Sequence, residues 1–131
     1  SVRKKRGKVG EDAVCRYLEQ RGYIIVKRNY RKSVGELDIV ARKDDILAIV
    51  EVKTRKFGTV CEGYEAVDKR KQIKIIKTTD LFQSEYEDEC AGCYLRFDIA
   101  DVSVTTENEP RILGIEYFEE AFDASGIFTF N

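Results

Sequence analysis

Residues 35–54 read GELDIVARKDDILAIVEVKT and predict two adjacent strands joined by a tight, charged turn. In the first half, apolar side chains alternate with Glu36 and Asp38. In the second half, both alternating sets of side chains are apolar as far as Val50, which is typical of a strand covered on both faces. We therefore expect the second strand to lie at the centre of a sheet.

Helices and further strands are predicted on both sides of this hairpin. In chain order, the predicted elements are a helix at residues 7–21, strands at 23–30, 35–41 and 46–54, a helix at 65–82, and strands at 94–104 and 112–118. The segments 55–63 and 85–89 are expected to be loops. The order α-β-β-β-α-β-β indicates an α/β layered domain with a mixed sheet, and a length of 131 residues suits one domain.

The chain contains no histidine, which narrows the chemistry it can perform. Ser-His-Asp and Cys-His nucleophile pairs, HExxH zinc sites and histidine acid–base schemes are all excluded. Any catalysis must therefore use carboxylates, lysine, arginine, tyrosine, hydroxyl groups or a bound metal ion.

Four cysteines occur, at Cys15, Cys61, Cys90 and Cys93. No signal-peptide pattern follows the basic start, and no apolar run approaches the roughly 18 residues of a membrane span, so we expect a cytoplasmic chain with free thiols. The CAGC sequence is half of a zinc-type spacing, but neither a second CxxC nor a histidine completes it. A local redox pair is the other alternative to incidental, reduced cysteines.

The charges are divided unevenly along the chain. Residues 1–77 contain 21 Lys and Arg against 11 Asp and Glu, whereas residues 78–131 contain 2 against 13. This division indicates a basic face for a polyanion and an acidic face turned away from it. The alternative is two solvated faces that neutralise each other.

A candidate metal site is formed by Asp38, Glu51 and Lys53. Side chains two apart on a strand share a face, and the short turn should place Asp38 close to the level of Glu51. Together with the backbone carbonyl of Val52, the two carboxylates form an oxygen donor set that suits Mg²⁺. A neighbouring lysine could orient or deprotonate a water molecule, or offset charge in the transition state. The alternative is an ordinary Glu–Lys pair on a half-exposed strand.

Several segments resemble an uncharacterised bacterial family of predicted endonucleases that is distantly similar to archaeal Holliday-junction resolvases, within the PD-(D/E)XK nuclease superfamily. The segments are GKVGEDAVCRYLEQRGY (7–23), RNYR (28–31), GELDIVA (35–41), IVEVKTR (49–55), the spacing from Val67 to Lys71, and RFDI (96–99). The resemblance implies a restriction-endonuclease-like three-layer domain that uses Mg²⁺ or Mn²⁺ at Asp38, Glu51 and Lys53. It also implies that Glu11 is a further catalytic residue and metal ligand. Leu37 stands where the superfamily motif has proline.

Basic and polar residues near this site are candidates for contacts to nucleic acid, DNA rather than RNA. They are Arg28, Arg31, Arg55, Lys56, Lys69, Lys71, Gln72 and Lys74. For each of them, a solvated surface side chain is the alternative. Asp98 is expected to pair with Arg96 or a loop amide instead of binding metal.

Three functions compete at this point. The first is a structure-selective deoxyribonuclease, and paired nicks in a four-way junction would require two active sites and hence a homodimer. The second is a non-catalytic module with a nuclease-like fold that binds nucleic acid within a larger assembly. The third is an interaction protein whose acidic C-terminal half docks a partner, with Ile127, Phe128 and Phe130 as an added edge strand or a dimer contact.

Overall fold

Five strands form one mixed sheet in the computed structural model, which describes residues 1–58 and 67–124. The elements are helix α1 (Val2–Gln20), strands β1 (Ile24–Lys32), β2 (Gly35–Lys43) and β3 (Ile46–Lys56), helices α2 (Lys69–Glu85) and α3 (Glu87–Cys90), and strands β4 (Tyr94–Val104) and β5 (Ile112–Phe122). The strands lie in the order β1-β2-β3-β4-β5, so β3 is central as predicted. This confirms the α/β class and the predicted order of the elements, to which the single-turn helix α3 is added.

All neighbouring strands are antiparallel except β3 and β4, which are parallel. A parallel pair cannot be joined by a tight turn, and α2 lies in the connection between these two strands. The first three strands form an antiparallel meander. The described sheet is therefore a meander of β1, β2 and β3, followed by a crossover to β4, which is parallel to β3 and forms a hairpin with β5.

Helices α1 and α2 cover opposite faces of the sheet and produce three layers. Val14 and Leu18 of α1 pack with one set of alternating strand residues, among them Val50. Ile75 and Phe82 of α2 pack with the other set. Because both faces of β3 are covered, its residues from Leu47 to Val50 are almost completely buried, which explains the unbroken apolar run.

Several boundaries differ from the predictions. Strands β1, β2, β3 and β5 end two to four residues later than predicted, so β3 includes the first two residues of the loop predicted at 55–63. Helix α1 begins at Val2 instead of residue 7, with the Ser1 hydroxyl accepting a hydrogen bond from the Lys4 amide (3.3 Å). The first turns of α1 are basic and contain little apolar periodicity, so a helix prediction based on that periodicity does not include them. Helix α2 begins at Lys69 because the Asp68 side chain caps it (2.9 Å to the Lys71 amide). The loop predicted at 85–89 is wrong, because α2 ends at Glu85 and α3 follows directly.

Several predictions concern residues 59–66 and 125–131, which lie outside the described residues. They include those for Cys61 and for the tail residues Ile127, Phe128 and Phe130. Cys15, Cys90 and Cys93 are described, and all three are free thiols, as expected. Among the described helices, none is both long enough and apolar enough to cross a membrane.

Candidate active site

Strands β2 and β3 separate at the position of Asp38 and Glu51. Their paired residues run from Lys43 opposite Ile46 to Ile39 opposite Val50, so Asp38 and Glu51 are the first residues beyond the paired positions. There the ladder stops, and the Asp38 carboxylate accepts a hydrogen bond from the Val52 amide (2.8 Å). The N–H and C=O of one strand residue point to the same side, so the Val52 carbonyl also faces the gap between the strands.

Asp38 and Glu51 are both buried, with exposed fractions of 9% and 6%. Burial, and then the negative charge of Glu51, raise the pKa of the Asp38 carboxyl well above its usual range. The hydrogen bond from Val52 opposes this rise without cancelling it. The site therefore disfavours the charged form of Asp38 unless a cation lies beside it.

Two lysines accompany Glu51 on the α2 face of the sheet. Lys71 of α2 forms an ion pair with Glu51 (Nζ to Oε1, 2.6 Å), and Lys53 follows Glu51 on the same face of β3. Burial and the positive charge of Lys71 lower the pKa of Lys53, while Glu51 and Asp38 act in the opposite direction. A lysine whose pKa is lowered can exchange a proton more readily near neutral pH.

Glu11 reaches the same region from α1 on the other face. The helix can approach β3 closely because Gly10 has no side chain: a Cβ there would lie 2.0 Å from Oγ1 of Thr54. Glu11 and Asp38 line one cavity of about 330 Å³, and the charge of Glu11 adds to the rise in the pKa of Asp38. The structure thus brings Glu11 near Asp38.

Asn29 of β1 holds Glu11 in place. Its side-chain amide donates a hydrogen bond to Glu11 Oε1 (3.0 Å), and its backbone has a left-handed φ of 51°. Asparagine tolerates this conformation better than most residues, and such distortions are found at functional sites. The sequence analysis did not predict this contact, because it depends on two segments that only the fold brings together.

The oxygen atoms at hand suit a hard cation such as Mg²⁺ or Mn²⁺, since carboxylates and a carbonyl are the donors these ions prefer. Asp38, Glu51 and the Val52 carbonyl are the residues that could hold it, with Glu11 close by. Within residues 1–58 and 67–124, however, no three acidic, cysteine or histidine side chains are already gathered as a metal site. An ion at Glu51 would have to displace or share the contact with Lys71.

The predicted nucleic-acid-binding arginines all form ion pairs within the protein. Arg28 pairs with Asp12 (2.8 Å), Arg31 with Glu36 (2.9 Å), and Arg55 with Asp101 (2.6 Å). The Arg31 pair is exposed and costs little to break, whereas Arg55 joins a buried aspartate and supports the pairing of β3 with β4.

The predicted α2 residues differ in what they contact. Lys69 and Lys74 lie on the exposed surface of the helix, as does Lys56 at the end of β3. Lys71 is engaged with Glu51, and the Gln72 side chain donates to the Val67 carbonyl (3.0 Å), where it supports the start of the helix.

Asp98 behaves as predicted. It is fully buried, forms an ion pair with Arg96 (2.8 Å) and accepts a hydrogen bond from the Glu120 amide (3.0 Å). The Tyr117 hydroxyl donates a further hydrogen bond at 2.6 Å. These partners satisfy the carboxylate and give Asp98 a structural role in joining β4 to β5.

Two arginines near the site were not among the predicted residues. Arg3 and Arg6 of α1 line the cavity that contains Asp38 and Glu11. The signal was present, since residues 3, 7, 10 and 11 share one helix face at i, i+4, i+7 and i+8, with Arg6 beside them. It is weak, because the only large apolar residues before Gly10 are Val2 and Val9, and they do not mark the segment as helical.

Comparison with known proteins identifies relatives of this chain. The model of the family described as "Uncharacterised protein family UPF0102" matches residues 10–102. A UPF0102 protein of Dictyoglomus thermophilum is 41% identical over 119 residues, which cover 91% of this chain and 98% of the relative. One from Bacteroides thetaiotaomicron is 40% identical over 116 residues, covering 88% and 90%. One from Treponema pallidum is 42% identical over 96 residues, covering 71% and 73%.

The matched span contains the carboxylates and lysines of the candidate site. None of these names states an activity, so the function has to be inferred from the chemistry of the site. The match over most of the chain agrees with the resemblance to an uncharacterised bacterial family. The chain belongs to the uncharacterised protein family UPF0102.

Proposed function

We propose that this chain is a metal-dependent endonuclease that hydrolyses phosphodiester bonds in structured, branched DNA. One observation carries the proposal: two buried carboxylates, Asp38 and Glu51, belong to the first residues beyond the last paired positions of β2 and β3. Burying two like charges together costs folding free energy, and a bound cation offsets this cost. An arrangement that is unfavourable for stability but suited to a ligand is typical of a functional site.

In this proposal, Asp38, Glu51 and the Val52 carbonyl hold Mg²⁺ or Mn²⁺, and Glu11 contributes from α1. The ion, when bound, polarises the phosphodiester and lowers the pKa of a water molecule. Lys53 accepts the proton of the attacking water or donates a hydrogen bond to the charge that develops on the phosphate. The lowered pKa of Lys53 favours the first of these roles.

The identity of the substrate is supported by charge and by the sequence resemblance. The first helix and the start of α2 supply basic residues near the site on opposite faces of the sheet. A polyanion is therefore the favoured partner. The resemblance to Holliday-junction resolvases favours branched DNA, which we propose is cut in the cytoplasm by a homodimer that makes paired nicks.

A cleavage assay tests the proposal. Purified protein is incubated with four-way junctions, single strands, duplexes and matched RNA, with Mg²⁺, Mn²⁺ or EDTA. We expect metal-dependent cleavage that falls by at least roughly 100-fold in Glu51→Gln, Asp38→Asn and Lys53→Met. Glu116→Gln, which changes an exposed glutamate on β5, is the matched control. Cleavage that is unchanged in Glu51→Gln, or is not seen with any substrate and metal, would refute the assignment.

A second candidate is a nuclease-like module that binds nucleic acid without cutting it. The Lys71–Glu51 ion pair favours it, because the protein's own lysine occupies a carboxylate that the metal would need. In that case, the binding affinity for DNA should be the same in Glu51→Gln and should not change when Mg²⁺ is added. Metal-dependent product formation by the wild type rules this candidate out.

A further inference from the structure

Gly7 occupies a position in α1 where glycine has no structural advantage. A Cβ atom built there meets nothing within 4 Å, in contrast to Gly10, where it would collide with Thr54. Within a helix, glycine costs about 1 kcal/mol relative to alanine. Because no packing contact in the described chain requires this glycine, its benefit is expected to come from something that approaches the helix from outside.

Two cavities meet at Gly7. One, of about 330 Å³, is lined by Arg3, Arg6, Glu11 and Asp38. The other, of about 700 Å³, lies between α1 and β1 and is also bordered by Gly7 and Glu11. Because the two cavities share Gly7 and Glu11, we treat them as one surface, here named the α1 trough and defined by Arg3, Lys4, Arg6, Gly7, Arg28 and Arg31. It begins at the candidate active site and leads away from it.

Two cations of the trough, Arg3 and Arg6, are available to a ligand, whereas Arg28 and Arg31 are held in ion pairs. In the described part of the chain, neither Arg3 nor Arg6 forms an ion pair, although both lie in the same cavity as carboxylates. Lys5, on another side of the same helix, is paired with Glu109 (2.7 Å). The helix therefore directs two arginines toward the site, while a neighbouring lysine is used within the fold.

The side chains that line the trough indicate which part of a nucleic acid it contacts. Among the described lining residues of the two cavities, none is aromatic, so the trough offers no stacking surface for bases. Arginines instead form bidentate hydrogen bonds to phosphate, and the bare backbone at Gly7 permits a close approach. Such contacts position a strand but do not read its sequence.

We infer that the α1 trough binds the sugar–phosphate backbone of one nucleic-acid strand, adjacent to the phosphate that is cut and without reading its bases. This inference rests on the proposed function for the position of the scissile phosphate, although the binding itself requires no cleavage. The trough also sets a direction: the strand passes over Gly7 between the carboxylate site and Arg31.

Binding measured without cleavage tests the inference. Fluorescence anisotropy is recorded in EDTA with labelled single strands of two unrelated base sequences. Arg3→Ala/Arg6→Ala should weaken Kd for both sequences equally, and the slope of log Kd against log salt should fall by about 1.4, or 0.7 for each lost phosphate contact. Lys5→Ala, from the same helix, is the matched control and should have a much smaller effect.

Gly7→Gln separates a ligand-binding role from a structural one. Glutamine favours the helix, so Tm should rise by roughly 2 °C, while the side chain blocks the trough and weakens Kd by at least about tenfold. Kd that is unchanged in Gly7→Gln, or an arginine variant no weaker than Lys5→Ala, would overturn the inference. These outcomes do not depend on cleavage. The trough inference can therefore be refuted while the nuclease assignment stands, and the nuclease assignment can be refuted while the trough inference stands.

Discussion

Asp38 is the residue on which the properties of the site depend most. It is buried, its nearest charged neighbour on the sheet is another carboxylate, and its hydrogen bond comes from a neutral amide. This environment determines what the Asp38 carboxylate binds, because an aspartate with a raised pKa attracts either a proton or a metal ion. The two compete for the same oxygen atoms, so metal binding should weaken as the pH falls.

The stability of the metal-free protein should depend on pH through Asp38. Because the folded pKa is raised, the folded chain retains a proton that the unfolded chain loses near pH 4, and stability falls as the pH rises toward the folded pKa. Asp38→Asn removes this loss and keeps an oxygen for the Val52 amide. We expect it to stabilise the protein by on the order of 2 kcal/mol near pH 9 and by much less near pH 5.

Urea unfolding at the two pH values measures this effect. Asp80→Asn, on the exposed surface of α2, is the matched control and should change stability little at either pH. If Asp38→Asn destabilises the protein equally at both pH values, the carboxylate is paired and the account of its environment is wrong.

At the scale of elements, the contact between α1 and β3 determines whether Glu11 reaches the site. The two backbones approach at Gly10 and Thr54, next to Glu11 on the helix and beyond Lys53 on the strand. Any side chain at Gly10 would push the helix outward and take Glu11 with it. The geometry of the site is thus coupled to the packing of one helix turn.

Gly10→Ala should therefore be destabilising, although alanine is the better helix former. With its Cβ 2.0 Å from Thr54 Oγ1, we expect a loss of about 1–3 kcal/mol from overpacking. Thr54→Ala in the same chain removes the nearest atom and should restore part of the loss, which gives a coupling free energy of about 1 kcal/mol. Gly7→Ala, one turn earlier in open space, is the control and should be stabilising.

Chemical denaturation of the two single variants and the double variant yields this coupling free energy. Independent effects of Gly10→Ala and Thr54→Ala would contradict the proposed contact.

The elements that could be predicted from the sequence are those whose signal is local. Alternation, a short turn and an unbroken apolar run were sufficient for β2, β3 and their antiparallel pairing as far as Ile39 and Val50. The first turns of α1 and the left-handed Asn29 were not predictable in this way. The first turns of α1 begin at a capping residue and lack the apolar periodicity that marks a helix in the sequence. The conformation of Asn29 depends on a contact with Glu11 that exists only after α1 has packed. Lys71 was recognised as basic, but its ion pair with Glu51 required the position of α2.

At the scale of the whole molecule, positive charge lies near the candidate site and negative charge lies at one edge of the sheet. The basic starts of α1 and α2 lie near the carboxylates, whereas β5, at an edge of the sheet, has three glutamates and no basic residue. A polyanion is attracted toward the site and repelled from that edge. The carboxylates themselves oppose its approach, and the cation of the proposed function would offset this repulsion.

Global stability should therefore report metal binding if the site holds an ion. Binding to the folded chain alone raises the free energy of unfolding by about 2.7 kcal/mol at 100 times Kd, or roughly 5–10 °C in Tm for a chain of this length. We expect this rise with Mg²⁺ or Mn²⁺, and its loss in Glu51→Gln. Lys71→Gln should lower Tm without metal, because Glu51 loses its partner, and should enlarge the rise with metal, because a competitor is gone.

Lys74→Gln provides the control for this last variant. Lys74 lies on the same helix and carries the same charge, but it is exposed and is not paired with Glu51 in the described structure. If Lys71→Gln and Lys74→Gln change Tm alike, with and without metal, Lys71 acts only through the overall positive charge of α2. A rise in Tm that persists in Glu51→Gln would mean that the ions bind elsewhere, and the two buried carboxylates would then need a different explanation.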